Sequence, residues 1–259
     1  MSRALAARPA RSSRRSQARS SSPRFAVHGK LLTYLKQSER PLQSLVFLIP
    51  LIAIHEIGWR LSHTRLLAFD LLHRFFSFLG ATGTFIPALA LVGILLAWHI
   101  AARDKWIVQL NTILWMYFES VLLALPLLAL AAAMAKWQPG PLLGAADGGM
   151  PGRVVIAMGA GIYEEMIFRL IALTLTSILF VDILGMKKMR AAVLMVVISG
   201  LMFSFYHYLG QEKFVWKTCL FRTVAGIYFG AVFMCRGFGV TAGSHAAYDV
   251  IVCAAAGMG

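Results

Sequence analysis

The chain has 259 residues, of which 59% are hydrophobic and 14% charged, with a formal net charge of +14 and a mean hydropathy of +0.71. Apolar runs of about 20 residues match the thickness of a bilayer core, so this composition excludes an ordinary water-soluble domain. The length suits one membrane bundle and leaves little for a second, soluble unit.

The N-terminal stretch differs from the rest. Ten of the 25 Lys and Arg lie between Arg3 and Arg40, against a single acid, Glu39. Segments such as Arg11-Ser12-Ser13-Arg14-Arg15-Ser16 lack the apolar core of a secretory signal, so residues 1–40 read as a basic disordered tail. Such a tail holds the N-terminus inside and lies against anionic lipid headgroups. An organelle transit peptide has the same composition, and nucleic acid is not an expected partner.

Residues 41–259 then read as the transmembrane domain. Apolar runs at 42–59, 83–101, 109–135, 153–182, 190–210, 218–235 and 240–257 predict an all-α, polytopic helical bundle of about seven spans. Residues 66–80 mix Asp70, His73 and Arg74 with Leu and Phe, which predicts an amphipathic helix in the interface rather than a further span. With the N-terminus inside, Arg103-Asp104-Lys105, Lys187-Lys188-Met189-Arg190 and Arg236 fall on the inner side. The Gly- and Pro-rich loop 136–152 falls outside. Gly226-x-x-x-Gly230 predicts a close helix contact. Cys219, Cys235 and Cys253 have no metal or redox spacing and read as small core residues.

Several polar groups in the apolar runs have plain structural readings. Glu119 is expected to pair with another polar group of the bundle, and Glu56 with Arg60 at i,i+4. Lys217 and Arg222 are expected to snorkel to headgroups, and Trp98, Trp106, Trp115, Trp137 and Trp216 to form an aromatic belt. His55-Glu56-Ile57-Gly58-Trp59 opens like a zinc-protease helix but lacks its second His.

Three motifs in the second half resist that treatment: Glu164-Glu165-x-x-x-Arg169, Phe203-x-x-x-His207 and His245-x-x-x-Asp249. Each ionised group inside an apolar run costs several kcal/mol unless it is paired or does chemistry. Glu165 and Arg169 share a helix face, which leaves Glu164 to face something else. His245 and Asp249 also share a face, so the carboxylate can orient the imidazole. Two histidines and two or three carboxylates on three helices suit activation of a water molecule. Either Glu and His hold the water directly, or Glu164, His207 and His245 bind Zn²⁺. No cofactor is otherwise expected.

In this order on successive apolar helices, the motifs resemble the CPBP intramembrane proteases, the group that includes CAAX prenyl proteases and bacteriocin-processing or immunity proteins. The resemblance covers about residues 150–257. It implies that Glu164 activates water together with His207, that His245 and Asp249 serve the oxyanion, and that Glu165, Arg169 and Phe203 support them. Leu170 stands where Gly often follows the Arg of the first motif, and Asp249 stands where many members carry Asn.

The resulting expectation is an intramembrane endopeptidase acting on membrane-associated proteins or peptides. Its setting would be a bacterial cytoplasmic membrane, or an organelle membrane as the alternative. A catalytically silent scaffold or immunity factor and a proton-coupled transporter are the competing classes. One geometric demand accompanies it. With these boundaries Glu164 lies near the midplane while His207 and His245 lie near opposite faces, so convergence requires a last span that begins deeper or a fifth that runs past Gly210.

Overall fold

A computed structural model describes residues 23–62, 66–135, 149–210 and 212–256. Residues 1–22 of the basic tail, and positions 136–148 of the Gly/Pro-rich loop with Trp137, lie outside the described residues. Among those described there are helices and no strand. The chain divides into residues 1–37 and 38–259. In the first unit, part of the stretch expected to be disordered is helical: helix α1 covers Pro23–Ser38, with a Pro at its opening position.

The second unit is the bundle. Its helices are α2 (Pro41–Ser62), α3 (Leu67–Phe78), α4 (Ile86–Ala101), α5 (Leu110–Ala135), α6 (Gly149–Ile183), α7 (Lys188–Tyr206) and α8 (Trp216–Ala256). Among the described residues, five segments, within α2, α5, α6, α7 and α8, are long and apolar enough to cross a membrane, against the seven runs read from the sequence. The 16-residue α4 is apolar but shorter. The runs expected at 218–235 and 240–257 lie in α8, which Gly237 interrupts with φ 75° and ψ −178°. That backbone region is open to glycine and not to side chains with a Cβ. Gly237 therefore divides α8 into a first arm, 216–236, and a second arm, 238–256.

Helix α3 has 12 residues, about 18 Å of rise, and is too short to span. It buries Ala68, Phe69 and Leu72 and exposes Phe75 and Phe78, as an interfacial helix does.

Lipid tails are as apolar as leucine, so burial of apolar groups does little to hold such helices together, and close packing matters more. The bundle turns large side chains such as Leu89, Leu114 and Val193 outward. Inside, Ala124, Leu127 and Ala131 of α5 pack on Phe221, Ala225 and Phe229 of the first arm and Tyr248 of the second. Glycines set the closest approaches. A Cβ on Gly226 would come 2.7 Å from Gly200 Cα, which brings α7 against the first arm. A Cβ on Gly161 would come 2.6 Å from Ala242 O and 2.7 Å from Ala246 Cβ, which brings α6 against the second arm. The chain is an integral membrane protein.

Other expectations meet mixed outcomes. Glu119 does find a partner: Arg236 donates to it from Nε at 2.5 Å and Nη2 at 2.8 Å. Glu56 accepts from Tyr163 Oη at 2.5 Å, and Arg60, whose charge acts on Glu56, lies 3.8 Å over the Phe85 ring. Cys219 is buried and Cys253 half-buried, but Cys235 is exposed. Trp98, Trp106, Trp115 and Trp216 are exposed, as a belt requires.

Candidate active site

The first motif lies in α6, where the backbone widens into π-helical turns at Ala160–Glu164 and Met166–Ile171. Such turns change the direction of side chains relative to a regular helix and are frequent at functional sites. Glu165 and Arg169 keep the expected pairing, with Arg169 Nη1 donating to Glu165 Oε1 at 3.0 Å and both side chains fully buried. Arg169 Nη2 also donates to Gly226 O at 2.8 Å. The Gly226–Gly200 approach makes that carbonyl reachable, and Ser199 Oγ adds a bond to Phe168 O at 2.9 Å. The pair thus locks α6 to α7 and to the first arm of α8.

Glu164 is buried but unpaired by comparison. Its Oε1 accepts a long bond from Tyr206 Oη at 3.4 Å. Its Oε2 lies 3.9 Å from His207 Nε2 and 3.9 Å from His245 Nε2. These separations exceed a direct hydrogen bond and suit a molecule of water shared between the groups.

The two histidines are held differently. His207 follows the last residue of α7, in a short 3₁₀ turn His207–Leu209. Its Nδ1 lies 2.7 Å from Phe203 O. A carbonyl only accepts, so Nδ1 carries the proton and Nε2 turns toward Glu164. His245 sits eight residues past Gly237, about 12 Å along the second arm. Its Nδ1 is 2.7 Å from Glu165 Oε1, and its Nε2 is 3.5 Å from Asp249 Oδ2. The tighter orienting contact to His245 therefore comes from Glu165, on another helix, and Asp249 flanks the opposite nitrogen. The Phe229 ring stacks on His245 at 4.6 Å. Phe203 sits between the two histidines, 5.0 Å from His207 and 5.7 Å from His245, with the Arg169 guanidinium 4.9 Å over its ring.

The fold therefore brings Glu164, Glu165, Arg169, Phe203, His207, His245 and Asp249 into one buried cluster. The convergence does not come from a fifth helix running past Gly210, since α7 ends at Tyr206. It comes from the second arm starting at the Gly237 kink beside Glu39, and from the Gly161 contact that sets α6 in register with it. Sequence reading missed Tyr206, Phe229 and Gly161. A Tyr beside His207 was the available signal, since a tyrosine hydroxyl in an apolar setting needs a partner. Among the described residues, no group of three or more His, Cys, Asp or Glu side chains is placed to hold a metal ion.

Such a site defines a class: a membrane-embedded helical bundle with a buried carboxylate aimed at two imidazoles. Residues 148–251 match the family model described as Rce1-like, type II CAAX prenyl endopeptidase Rce1-like. The matched stretch holds all three motifs and is similar to the CPBP/CAAX intramembrane protease family, which is a family of hydrolases. No curated protein and no solved structure gives a significant match.

Proposed function

We propose that the protein is an intramembrane endopeptidase that cleaves peptide bonds of membrane-associated proteins or peptides with a water activated by Glu164 and His207. The observation that carries this reading is the placement of one buried carboxylate oxygen, Glu164 Oε2, 3.9 Å from each of two imidazole nitrogens. A water held there gives its proton to Glu164 while His207 Nε2 orients it as an acceptor. Its oxygen then attacks the scissile carbonyl carbon, and the oxyanion meets His245 Nε2. With Nδ1 donating to Glu165, Nε2 donates as well only in the doubly protonated imidazolium, which Glu165 and Asp249 flank, and that cation is aimed at the charge as it develops. Collapse of the tetrahedral intermediate returns the proton from Glu164 to the leaving amine. Glu165 and Arg169 fix the helices and His245, Phe203 spaces the histidines, and Asp249 supports His245.

This reading counts the arms of α8 as two spans and α4 as one, giving seven, with the N-terminus inside and the basic loops on the inner side. The membrane is that of a bacterial cell or of an organelle.

The test is cleavage of a quenched peptide library by the purified chain in detergent, wild type beside Glu164→Gln, with and without a strong chelator. Loss in the variant together with survival of chelation supports carboxylate-activated water. Loss on chelation replaces this mechanism with Zn²⁺ on Glu164, His207 and His245. Normal turnover by a folded Glu164→Gln protein overturns both.

A further inference from the structure

Arg222 was expected to reach for headgroups. It turns into the bundle instead: its side chain is 9% exposed and forms a bidentate pair with Glu212, Nη1 to Oε2 at 2.5 Å and Nη2 to Oε1 at 3.1 Å. Its Cζ lies 5.9 Å from the Tyr208 ring, next in sequence to His207. Arg222, Gly226 and Phe229 follow at i, i+4 and i+7 and share one face of the first arm. That face borders the site, because Gly226 accepts from Arg169 and Phe229 stacks on His245. Arg222 lies one turn, about 6 Å of rise, from Gly226. Its charge acts on His207, Glu164 and Asp249.

The two members of this ion pair stand in unequal surroundings. Glu212 belongs to the short connection before α8, and its side chain is 41% exposed. Partial burial pushes its carboxyl up, but the hydrogen bonds and charge of Arg222 outweigh this and hold it below its ordinary value. Glu212 can return to water at little cost. Arg222, withdrawn from water, needs an anion beside it. A guanidinium offers a planar fork that fits any carboxylate in two parallel bonds. An anion arriving with a peptide beside His207 is therefore able to take the place of Glu212.

Resting on the protease reading of this site, we propose that Arg222 binds a carboxylate of the substrate peptide, and that Glu212 fills the guanidinium until that carboxylate arrives. The carboxylate is either the C-terminal one or an Asp or Glu side chain near the scissile bond.

The experiment uses the full chain in detergent micelles and three matched quenched peptide pools. One carries a free C-terminal acid and no Asp or Glu, the second a C-terminal amide and no Asp or Glu, the third an amide and a single Glu. Wild type is expected to cleave one of the carboxylate-bearing pools with about tenfold higher kcat/KM than the carboxylate-free pool, mainly through KM. Which pool is favoured identifies the source. Arg222→Gln removes the preference and Arg222→Lys restores part of it, while Glu212→Gln lowers KM for the favoured pool about threefold by clearing the competitor. Because Arg222→Gln risks misfolding, dye-labelled pools are also bound at equilibrium to Glu164→Gln and Glu164→Gln/Glu212→Gln proteins, where removal of Glu212 is expected to tighten the favoured pool. Equal kcat/KM for all three pools, with cleavage dependent on Glu164, overturns the carboxylate site and leaves the protease reading standing. If no pool shows Glu164-dependent cleavage, the protease reading fails, and the binding arm alone decides: equal affinity for the three pools overturns the carboxylate site, and a preference strengthened without Glu212 upholds it.

Discussion

Glu119 and Glu164 are both carboxylates within apolar helices, and their surroundings are opposite. Glu119 in α5 accepts two short bonds from Arg236, whose Nη2 also reaches Ser38 Oγ at 2.8 Å. This clamp stands directly before Gly237 and ties the kink of α8 to α5. Glu164 in α6 has a long bond from Tyr206 and two imidazole nitrogens at 3.9 Å, with the Arg169 guanidinium spent on Glu165. A carboxylate whose hydrogen bonds are complete holds structure. One left short of partners among groups that exchange protons is equipped for chemistry. The type of residue is the same in both places, and only the geometry of the neighbours separates them.

The largest effect that tests this contrast is on rate. Glu164→Gln is expected to lower turnover by about 10²- to 10⁴-fold with the melting temperature retained, whereas Glu119→Gln is expected to leave turnover near wild type. Parallel rate and thermal-unfolding measurements on the two purified variants check it, and equal rate losses would erase the distinction.

Next comes stability. Arg169→Ala takes the guanidinium from fully buried Glu165 and is expected to cost about 3–5 kcal/mol in denaturation of the detergent-solubilised protein. Arg236→Ala, at the more exposed clamp, is expected to cost about 1–3 kcal/mol, since the Glu119 side chain is 21% exposed and keeps access to solvent. The reverse order would place the stronger structural clamp at the kink rather than at the first motif.

Gly226→Ala is expected to match the smaller of these costs. A methyl group 2.7 Å from Gly200 Cα meets backbone that has nowhere to go, so the helices must part, at a cost of about 1–3 kcal/mol. Activity should fall with it, because Gly226 O anchors Arg169. Gly29→Ala, with open space at that position, is the matched control.

The smallest effect is at Glu212. Its carboxyl is held below 4.5 in the folded protein by Arg222. The ion pair therefore adds its full stability above pH 4.5 and loses it as the pH falls through the lower folded value. The melting temperature of wild type should exceed that of Glu212→Gln near neutral pH and converge with it in acid. A gap that does not narrow as the pH falls would show that the Glu212 contact is not electrostatic.

Much of this site was legible before any coordinates. Glu164, Glu165, Arg169, His207, His245 and Asp249 stood out because charge inside apolar runs is costly, and i,i+4 spacing put Glu165 on Arg169 and Asp249 near His245. The partner of His245 Nδ1 was not legible. Glu165 is 80 positions away, and no helical periodicity links them. Arg222 was misread for a similar reason: a basic residue near a helix start has two places to go, and the choice depends on whether a carboxylate of a neighbouring segment stands within reach.

The sequence by itself determined the class of solvent, the helical state of the chain and the inventory of reactive groups, because these follow from local composition, from a 3.6-residue period and from the cost of burying charge. Only the tertiary structure decided what Glu164, the acid left over by Arg169, would face. That outcome depends on two glycine contacts, Gly161 against Ala242 and Gly226 against Gly200, and on the positive φ of Gly237, which together set three helices in register to within the reach of a side chain.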